Sequence, residues 1–252
     1  MFKLYSFLLL FSVSSLLTAA DIPAIAAASS MKFALTDIVA AFHKETGKMV
    51  RISYSSSGNL TRQIQQGAPY QLFLSANNQY INQLYQRQLT ENKGISFALG
   101  RLALLSNKSI PLDLSNQLDG LKAMLQQQEI HHFAIANPTH APYGIAAREV
   151  LKNQGLWQLI QEHLVLGENA AQATQFVSSG AAEMALVSYS LALAPAIQKT
   201  THSVLISSAL HKPLNQAAVL LKNAGDTAKL FFRFLQQDES RQILSHYGYS
   251  KP

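Results

Sequence analysis

The chain has 252 residues, with 20 Lys and Arg against 14 Asp and Glu, and it contains no Cys. Hydrophobic residues make up 48% of it, which excludes global disorder, and its length supports one large domain or two lobes. The absence of Cys excludes a disulfide scaffold, a thiolate metal site, a cysteine nucleophile and a lipid-anchored N-terminal cysteine. The net charge of +6 is scattered without a Lys/Arg run, so we expect no nucleic-acid partner.

The first segment has the pattern of an export signal. Lys3 supplies one positive charge, residues 7–17 form an apolar run, and residues 18–20 offer the small side chains that a signal peptidase recognises. The run is shorter than the roughly 20 apolar residues that a membrane-spanning helix needs. We therefore expect a signal peptide over residues 1–20, followed by a mature chain, residues 21–252, that is exported to a periplasm.

Short apolar runs alternate with amphipathic segments in the first half of the mature chain. Apolar residues from Met31 to Phe42 recur at helical spacing, and Gly47 is placed to end that helix. Strands are predicted at residues 22–28, 50–54 and 72–74. Helices are predicted through residues 31–42, 60–64 and 81–89.

The same alternation continues in the second half. Strands are predicted at residues 101–105, 133–136, 164–166, 184–187, 204–206 and 217–221. Helices are predicted at residues 146–151, in a segment ending at Gly180, and at residues 228–235 and 240–246. Strands that alternate with helices are typical of parallel βαβ units, so the sequence predicts an α/β fold.

Three predicted strand-to-helix junctions are rich in hydroxyl and small residues. They span residues 27–30, 55–59 and 137–144. Helix N-termini present unpaired N–H groups and a partial positive charge, and neighbouring serine hydroxyls add neutral donors. Together they could form an anion site without a buried Lys or Arg. The alternative is that Ser29, Ser57 and Thr139 are ordinary N-caps.

Other chemistries have weaker support. His131, His132 and His140 lack the spacing of a helical metal motif, so we interpret them as surface or edge residues. The chain has no G-x-S-x-G, P-loop or G-x-G-x-x-G motif. Four tyrosines could bind ferric iron as phenolates, but we interpret them instead as packing or ligand-lid residues: Tyr143, Tyr189, Tyr247 and Tyr249.

Over essentially the whole mature chain, the sequence resembles the periplasmic molybdate-binding proteins of ATP-driven molybdate transporters. The resemblance depends on the order and spacing of short motifs rather than on any one of them. These motifs are residues 26–29, 56–58, 62–64, 67–69, 72–76, 135–138, 141–144, 147–149, 155–157, 167–169, 175–177 and 247–249.

The resemblance implies a type II periplasmic-binding-protein fold with two α/β lobes and a ligand cleft between them. Residues 21–102 plus 207–252 would form one lobe and residues 103–206 the other. The implied oxyanion ligands are the hydroxyls of Ser29 and Ser57, with Ser30 beside Ser29, and the backbone N–H groups at Tyr143 and Ala170. At a further position, where some members have a ligand tyrosine, this chain has Ser188.

The family implies capture of molybdate, and also of tungstate, followed by delivery to an inner-membrane ABC permease. No cofactor, no catalysis and a monomer are expected. One alternative is a ferric-ion or other small-anion binding protein of the same fold. A second is an exported hydrolase that uses Ser57 with His140.

Overall fold

The structure, a computed structural model, describes residues 22–110 and 118–252, so the predicted signal peptide lies outside the described residues. Two five-stranded mixed sheets organise the chain. The first has the strand order β2-β1-β3-β10-β4, with the bounds β1 Ala24–Ala28, β2 Arg51–Ser55, β3 Leu72–Ser75, β4 Ile95–Gly100 and β10 Leu214–Leu220. The second has the order β7-β6-β8-β5-β9, with β5 Leu102–Asn107, β6 Phe133–Ala136, β7 Leu164–Gly167, β8 Met184–Ser188 and β9 Thr201–Leu205. We call each sheet with its packed helices a lobe, lobe 1 and lobe 2 respectively.

Helices connect most of the strands. The longer ones are α1 Lys32–Thr46, α2 Ser57–Gln65, α3 Asn78–Gln86, α4 Asp119–Gln126, α5 Pro142–Asn153, α7 Ala170–Ser178, α10 Asp226–Phe234 and α11 Asp238–His246. Three single-turn helices, which the sequence pattern did not reveal, are α6 Trp157–Ile160, α8 Tyr189–Ala192 and α9 Pro195–Gln198. Gly47 adopts a φ of 68° and donates its N–H to the carbonyl of His43, which confirms the predicted end of α1.

The sheets are mixed rather than purely parallel. In each sheet four strands run in one direction and one runs against them: β10 is antiparallel to its neighbours β3 and β4, and β5 is antiparallel to its neighbours β8 and β9. The reason is the path of the chain between the lobes. The chain leaves the first sheet at Gly100, enters the second at Leu102 and returns to the first through residues 206–213.

Strand β4 was missed because it runs almost directly into β5. Their sequences form one apolar stretch that is interrupted structurally at Arg101. Gly100, the last residue of β4, lies so close to Tyr143 that a Cβ atom at this position would collide with the tyrosine hydroxyl. The first crossing between the lobes is therefore packed directly against a residue of α5.

The central strands are buried on both faces. In β1, Ile25 and Ala27 belong to the main core cluster, whereas Ala26 packs with the cluster beneath α2 and α3. This alternation follows from the two-residue period of a strand. Within residues 22–110 and 118–252, no helix has both the length and the apolar character needed to cross a bilayer.

Gly144 offers a test of how tightly the helix after β6 is seated. A Cβ atom at Gly144 would collide with the carbonyl group of Ala136, whereas one at Gly155, where φ is +67°, would meet nothing within 4 Å. We expect Gly144→Ala to lower the free energy of unfolding by about 3 kcal/mol or more. Gly155→Ala should cost about 1–2 kcal/mol, from backbone strain alone. Urea unfolding of both variants compares them, and equal losses would contradict this description of the α5 contact.

Candidate anion-binding site

A small cavity lies between the lobes, where strands end and helices begin. Its atom-free space, about 190 Å³, includes a part that is open to solvent. Lobe 1 lines it with residues 28–30, residues 55–57 and Ala76, and lobe 2 lines it with residues 141–143 and Ala170. All three predicted junctions therefore contribute to one cavity, and its lining carries no charged side chain.

The electrostatic character of the cavity comes from helix N-termini. Helices α2, α5 and α7 begin at its wall. The N–H groups of Tyr143 and Ala170 lie in the first turns of α5 and α7, and among the described residues neither has a hydrogen-bond acceptor. Unpaired N–H groups at helix starts carry partial positive charge, so this lining favours an anion over a cation.

Two serine hydroxyls in the wall have their oxygen atoms already occupied. Ser29 Oγ accepts a hydrogen bond from the backbone N–H of Ala171 at 3.2 Å, and Ser57 Oγ accepts one from the N–H of Ala76 at 3.0 Å. A hydroxyl has one proton to donate beyond its acceptor lone pairs. Because the oxygens are held by N–H donors, the protons of these hydroxyls are free to bond with an anion in the cavity.

The capping alternative is wrong for all three predicted positions. The N-cap of α2 is Ser56, whose Oγ accepts from the N–H of Asn59 at 3.3 Å, and Ser57 is the first residue of the helix. Ser29 opens a 3-10 turn without a side-chain cap, and α5 begins after Ala141 rather than after Thr139. Of the serines in these loops Ser56 caps α2, whereas Ser29 and Ser57 are left without a capping role.

A second group of hydroxyls lies behind the cavity wall. The Tyr143 hydroxyl is buried beside Ser30, Ser188 and Tyr249. The hydroxyls of Ser30, Tyr143 and Ser188 have no hydrogen-bond partner in the described parts of the chain, while Tyr249 donates to the carbonyl of Ser30 at 3.1 Å. The structure thus places Ser30 in the cavity lining but Ser188 outside it, next to Tyr143.

His140 joins the lobes at the other edge of the cavity. Its Nδ1 lies 2.8 Å from Ser56 Oγ, and its carbonyl accepts from the N–H of Gly58 at 2.9 Å and from the Tyr80 hydroxyl at 3.2 Å. Its side chain is 12% exposed at this edge between the lobes, whereas His131 and His132 are exposed on the surface as expected. No local pattern predicts the contact of His140 with Ser56, because the two residues are 84 positions apart.

The arrangement does not favour cation or hydrolytic chemistry. The described residues contain no group of three or more His, Cys, Asp or Glu that could hold a metal ion. Burial raises the pKa of Tyr143 well above its ordinary value and that of Tyr249 to about 12, which opposes the phenolate form that ferric iron needs. The imidazole of His140 contacts Ser56 and not Ser57, which leaves the hydrolase alternative without its expected pair.

Comparisons with known proteins agree with this description. A family model described as bacterial extracellular solute-binding protein matches residues 24–250. The molybdate-binding protein ModA of Rhodobacter capsulatus is 32% identical over 216 residues, which cover 84% of this chain and 82% of the relative. ModA of Azotobacter vinelandii is 32% identical over 228 residues, which cover 89% and 88%.

A solved structure extends the likeness to three dimensions. The periplasmic molybdate-binding protein of Azotobacter vinelandii matches with a TM-score of 0.81 and 28% identity, covering 91% of this chain and 99% of that one. This match confirms the predicted two-lobed α/β fold, and the relatives confirm a binding protein rather than an enzyme. The chain therefore belongs to the bacterial extracellular solute-binding protein family, together with these ModA proteins.

Proposed function

We propose that the protein captures molybdate in the cavity between its lobes. The observation that carries the proposal is the pair of hydroxyls, Ser29 and Ser57, whose oxygens are held by backbone N–H groups so that their protons can point at an anion. Support also comes from the uncharged lining and from relatives that are named as molybdate-binding. Neutral donors suit a fully ionised dianion, because fixed dipoles can replace its hydration without a proton transfer.

The ligand set follows from the placement of the predicted residues. Ser29, Ser57 and Ser30 would donate hydroxyl hydrogen bonds, and Tyr143 and Ala170 would donate backbone N–H bonds. Ser188 would act behind the wall, beside the Tyr143 ring, rather than touch the ligand. No protein atom would contact the molybdenum itself, and no cofactor is needed.

The wider biological role belongs to the same proposal. Tungstate, a tetrahedral dianion like molybdate, should bind to the same donors. We propose export by the signal peptide at residues 1–20, function as a monomer in the periplasm, and delivery of the ligand to an inner-membrane ABC permease. The lobes would be residues 21–102 plus 207–252 and residues 103–206, closing on the ligand by a hinge motion.

The first test is ligand-dependent thermal unfolding of residues 21–252. A ligand at 100 times its dissociation constant stabilises the folded state by about 2.7 kcal/mol, which a melting curve resolves. We expect molybdate and tungstate to raise the midpoint and sulfate and phosphate to leave it unchanged. No rise with any oxyanion would overturn the proposal.

The second test removes the hydroxyl groups of Ser29 and Ser57 one at a time. A hydrogen bond to a charged group contributes about 1.5–3 kcal/mol, so Ser29→Ala and Ser57→Ala should each weaken molybdate binding roughly ten- to hundredfold. Ser245→Ala, an exposed helical position, is the matched control and should bind normally. Titration calorimetry measures all three, and unchanged affinity in both site variants would contradict the assigned donors.

The third test separates closure from folding. A Cβ atom at Gly58 would lie 2.7 Å from the carbonyl oxygen of His140, which belongs to the other lobe. Ala is favoured over Gly within a helix, so Gly58→Ala should leave the unfolding midpoint of the ligand-free protein unchanged or slightly higher. It should nevertheless weaken molybdate binding at least tenfold. Gly225→Ala, at the N-cap of α10 and away from the cavity, should lower the unfolding midpoint slightly but leave molybdate binding unchanged.

A further inference from the structure

Ser56 differs from Ser29 and Ser57 in the partners of its hydroxyl group. Like them, it has an oxygen that accepts from a backbone N–H, here that of Asn59 at 3.3 Å. Unlike them, it has a second partner, the Nδ1 atom of His140, at 2.8 Å. Ser56 is buried in the cavity lining, so the direction of its O–H bond matters to any ligand there.

The protonation of the imidazole decides that direction. In the neutral ring the proton is favoured on Nε2, the atom that faces the Glu168 carboxylate at 3.7 Å; Nδ1 then accepts the Ser56 hydroxyl proton, and the serine turns only oxygen lone pairs toward the cavity. If Nδ1 carries a proton, it donates to Ser56 Oγ, and the hydroxyl proton is released to donate to a ligand. The first state repels an oxyanion and the second attracts it.

We propose that His140 is a positioning residue of the anion site, which directs the Ser56 hydroxyl into the cavity when its ring is protonated, so that a bound tetrahedral dianion and a ring proton favour each other. The inference rests on the proposed function, because it assumes an oxyanion in this cavity. Besides the residues that donate directly to the ligand, the site would then contain one residue, His140, that acts on the ligand only through Ser56.

The charged groups around the His140 ring support its protonation when an anion binds. Glu168 Oε2 lies at ion-pair distance, 3.7 Å, from Nε2 of His140, so a doubly protonated ring would have a carboxylate near one nitrogen and the Ser56 oxygen at the other. Arg62 and the Tyr80 hydroxyl are the other titratable groups that border it. Burial lowers the pKa of His140 below its ordinary value of 6.5, Glu168 acts to raise it and Arg62 to lower it.

The sign of the pH dependence follows from linkage. A dianion that accepts the Ser56 hydroxyl proton favours the state in which Nδ1 is protonated and donates to Ser56 Oγ, so the pKa of His140 is higher in the complex than in the free protein. The additional affinity is complete below the pKa of the free protein and is lost as the pH rises through the pKa of the complex. Since one proton is involved, the affinity for molybdate should rise at most tenfold for each unit that the pH falls within this window.

The experiment is calorimetry with sodium molybdate on the purified protein, in buffers of different ionisation enthalpy, over the pH range in which molybdate stays a dianion. We expect uptake of up to one proton per molybdate inside the window. His140→Asn should bind without proton uptake. His132→Asn, which alters another His that faces a carboxylate but lies outside the cavity, is the matched control and should take up protons normally.

Two further variants separate positioning from packing. Tyr80→Phe removes a hydrogen bond to the His140 carbonyl but leaves the ring contacts in place, so affinity should fall while proton uptake persists. Ser56→Ala removes the hydroxyl that the ring directs, so both the affinity and the proton uptake should fall. Its stability cost, about 1 kcal/mol from the lost N-cap, is measured separately by unfolding.

The outcomes distinguish this inference from the function on which it rests. No binding heat at any pH would overturn the proposed function and the inference with it. Binding without proton uptake, or uptake that survives His140→Asn, would overturn the role of His140 alone. Uptake that is undiminished in Ser56→Ala would show that the ring acts through its charge and not through the hydroxyl, which overturns the positioning.

Discussion

The proposed binding site depends on hydroxyl groups whose oxygen atoms already accept hydrogen bonds from the backbone. A free serine can turn either its proton or its lone pairs toward a ligand, and an oxyanion tolerates only the proton. At Ser29 and Ser57 a backbone N–H donates to the hydroxyl oxygen, which disfavours the orientation with lone pairs toward the ligand even before a ligand binds. Preorganisation of this kind lowers the cost of binding because few groups must be reoriented. It also allows a site without buried positive side chains to discriminate by charge.

The topology brings donors from both lobes to the cavity, the hydroxyls of Ser29 and Ser57 from lobe 1 and the N–H groups of Tyr143 and Ala170 from lobe 2. In each sheet three parallel strands end at the cleft, β1, β2 and β3 in one and β6, β7 and β8 in the other. The helices that follow them must begin there, so their unpaired N–H groups converge on one point. The antiparallel strands β5 and β10 carry the chain between the lobes without adding a junction to the cleft. The convergence of donors and the division of the chain into two lobes thus come from the same chain path.

Local patterns in the sequence predicted the junctions but not the contacts that make them work. Helical spacing and Gly47 indicated α1 correctly, and serine-rich loops indicated the three segments that meet in the cavity. The apolar runs of β5 and β10 were predicted as strands, but their antiparallel direction was not, since an apolar run does not record its direction; β4 was missed. The pairing of His140 with Ser56, and of Ser29 with Ala171, joins residues 84 and 142 positions apart, and no spacing rule encodes such contacts. The position of Ser188 behind Tyr143 was likewise a matter of packing.

The hydroxyls behind the wall bear on why closure should depend on ligand. Tyr143, Ser30 and Ser188 are buried near the meeting point of the lobes without partners in the described parts of the chain. An unsatisfied buried polar group costs about 1–3 kcal/mol, so apolar contact between the lobes is opposed by their burial. Ser29 crosses the cleft to Ala171, and His140 crosses it to Ser56, Gly58 and Tyr80, but each of these is a single neutral hydrogen bond of modest net strength. A dianion that engages several donors at once adds charge-assisted bonds from both lobes, which are roughly twice as strong. Whether the lobes stay together would therefore depend on the cost of burying the unpaired hydroxyls and on the hydrogen bonds that the ligand adds between the lobes. The shape of the cavity alone would not determine it.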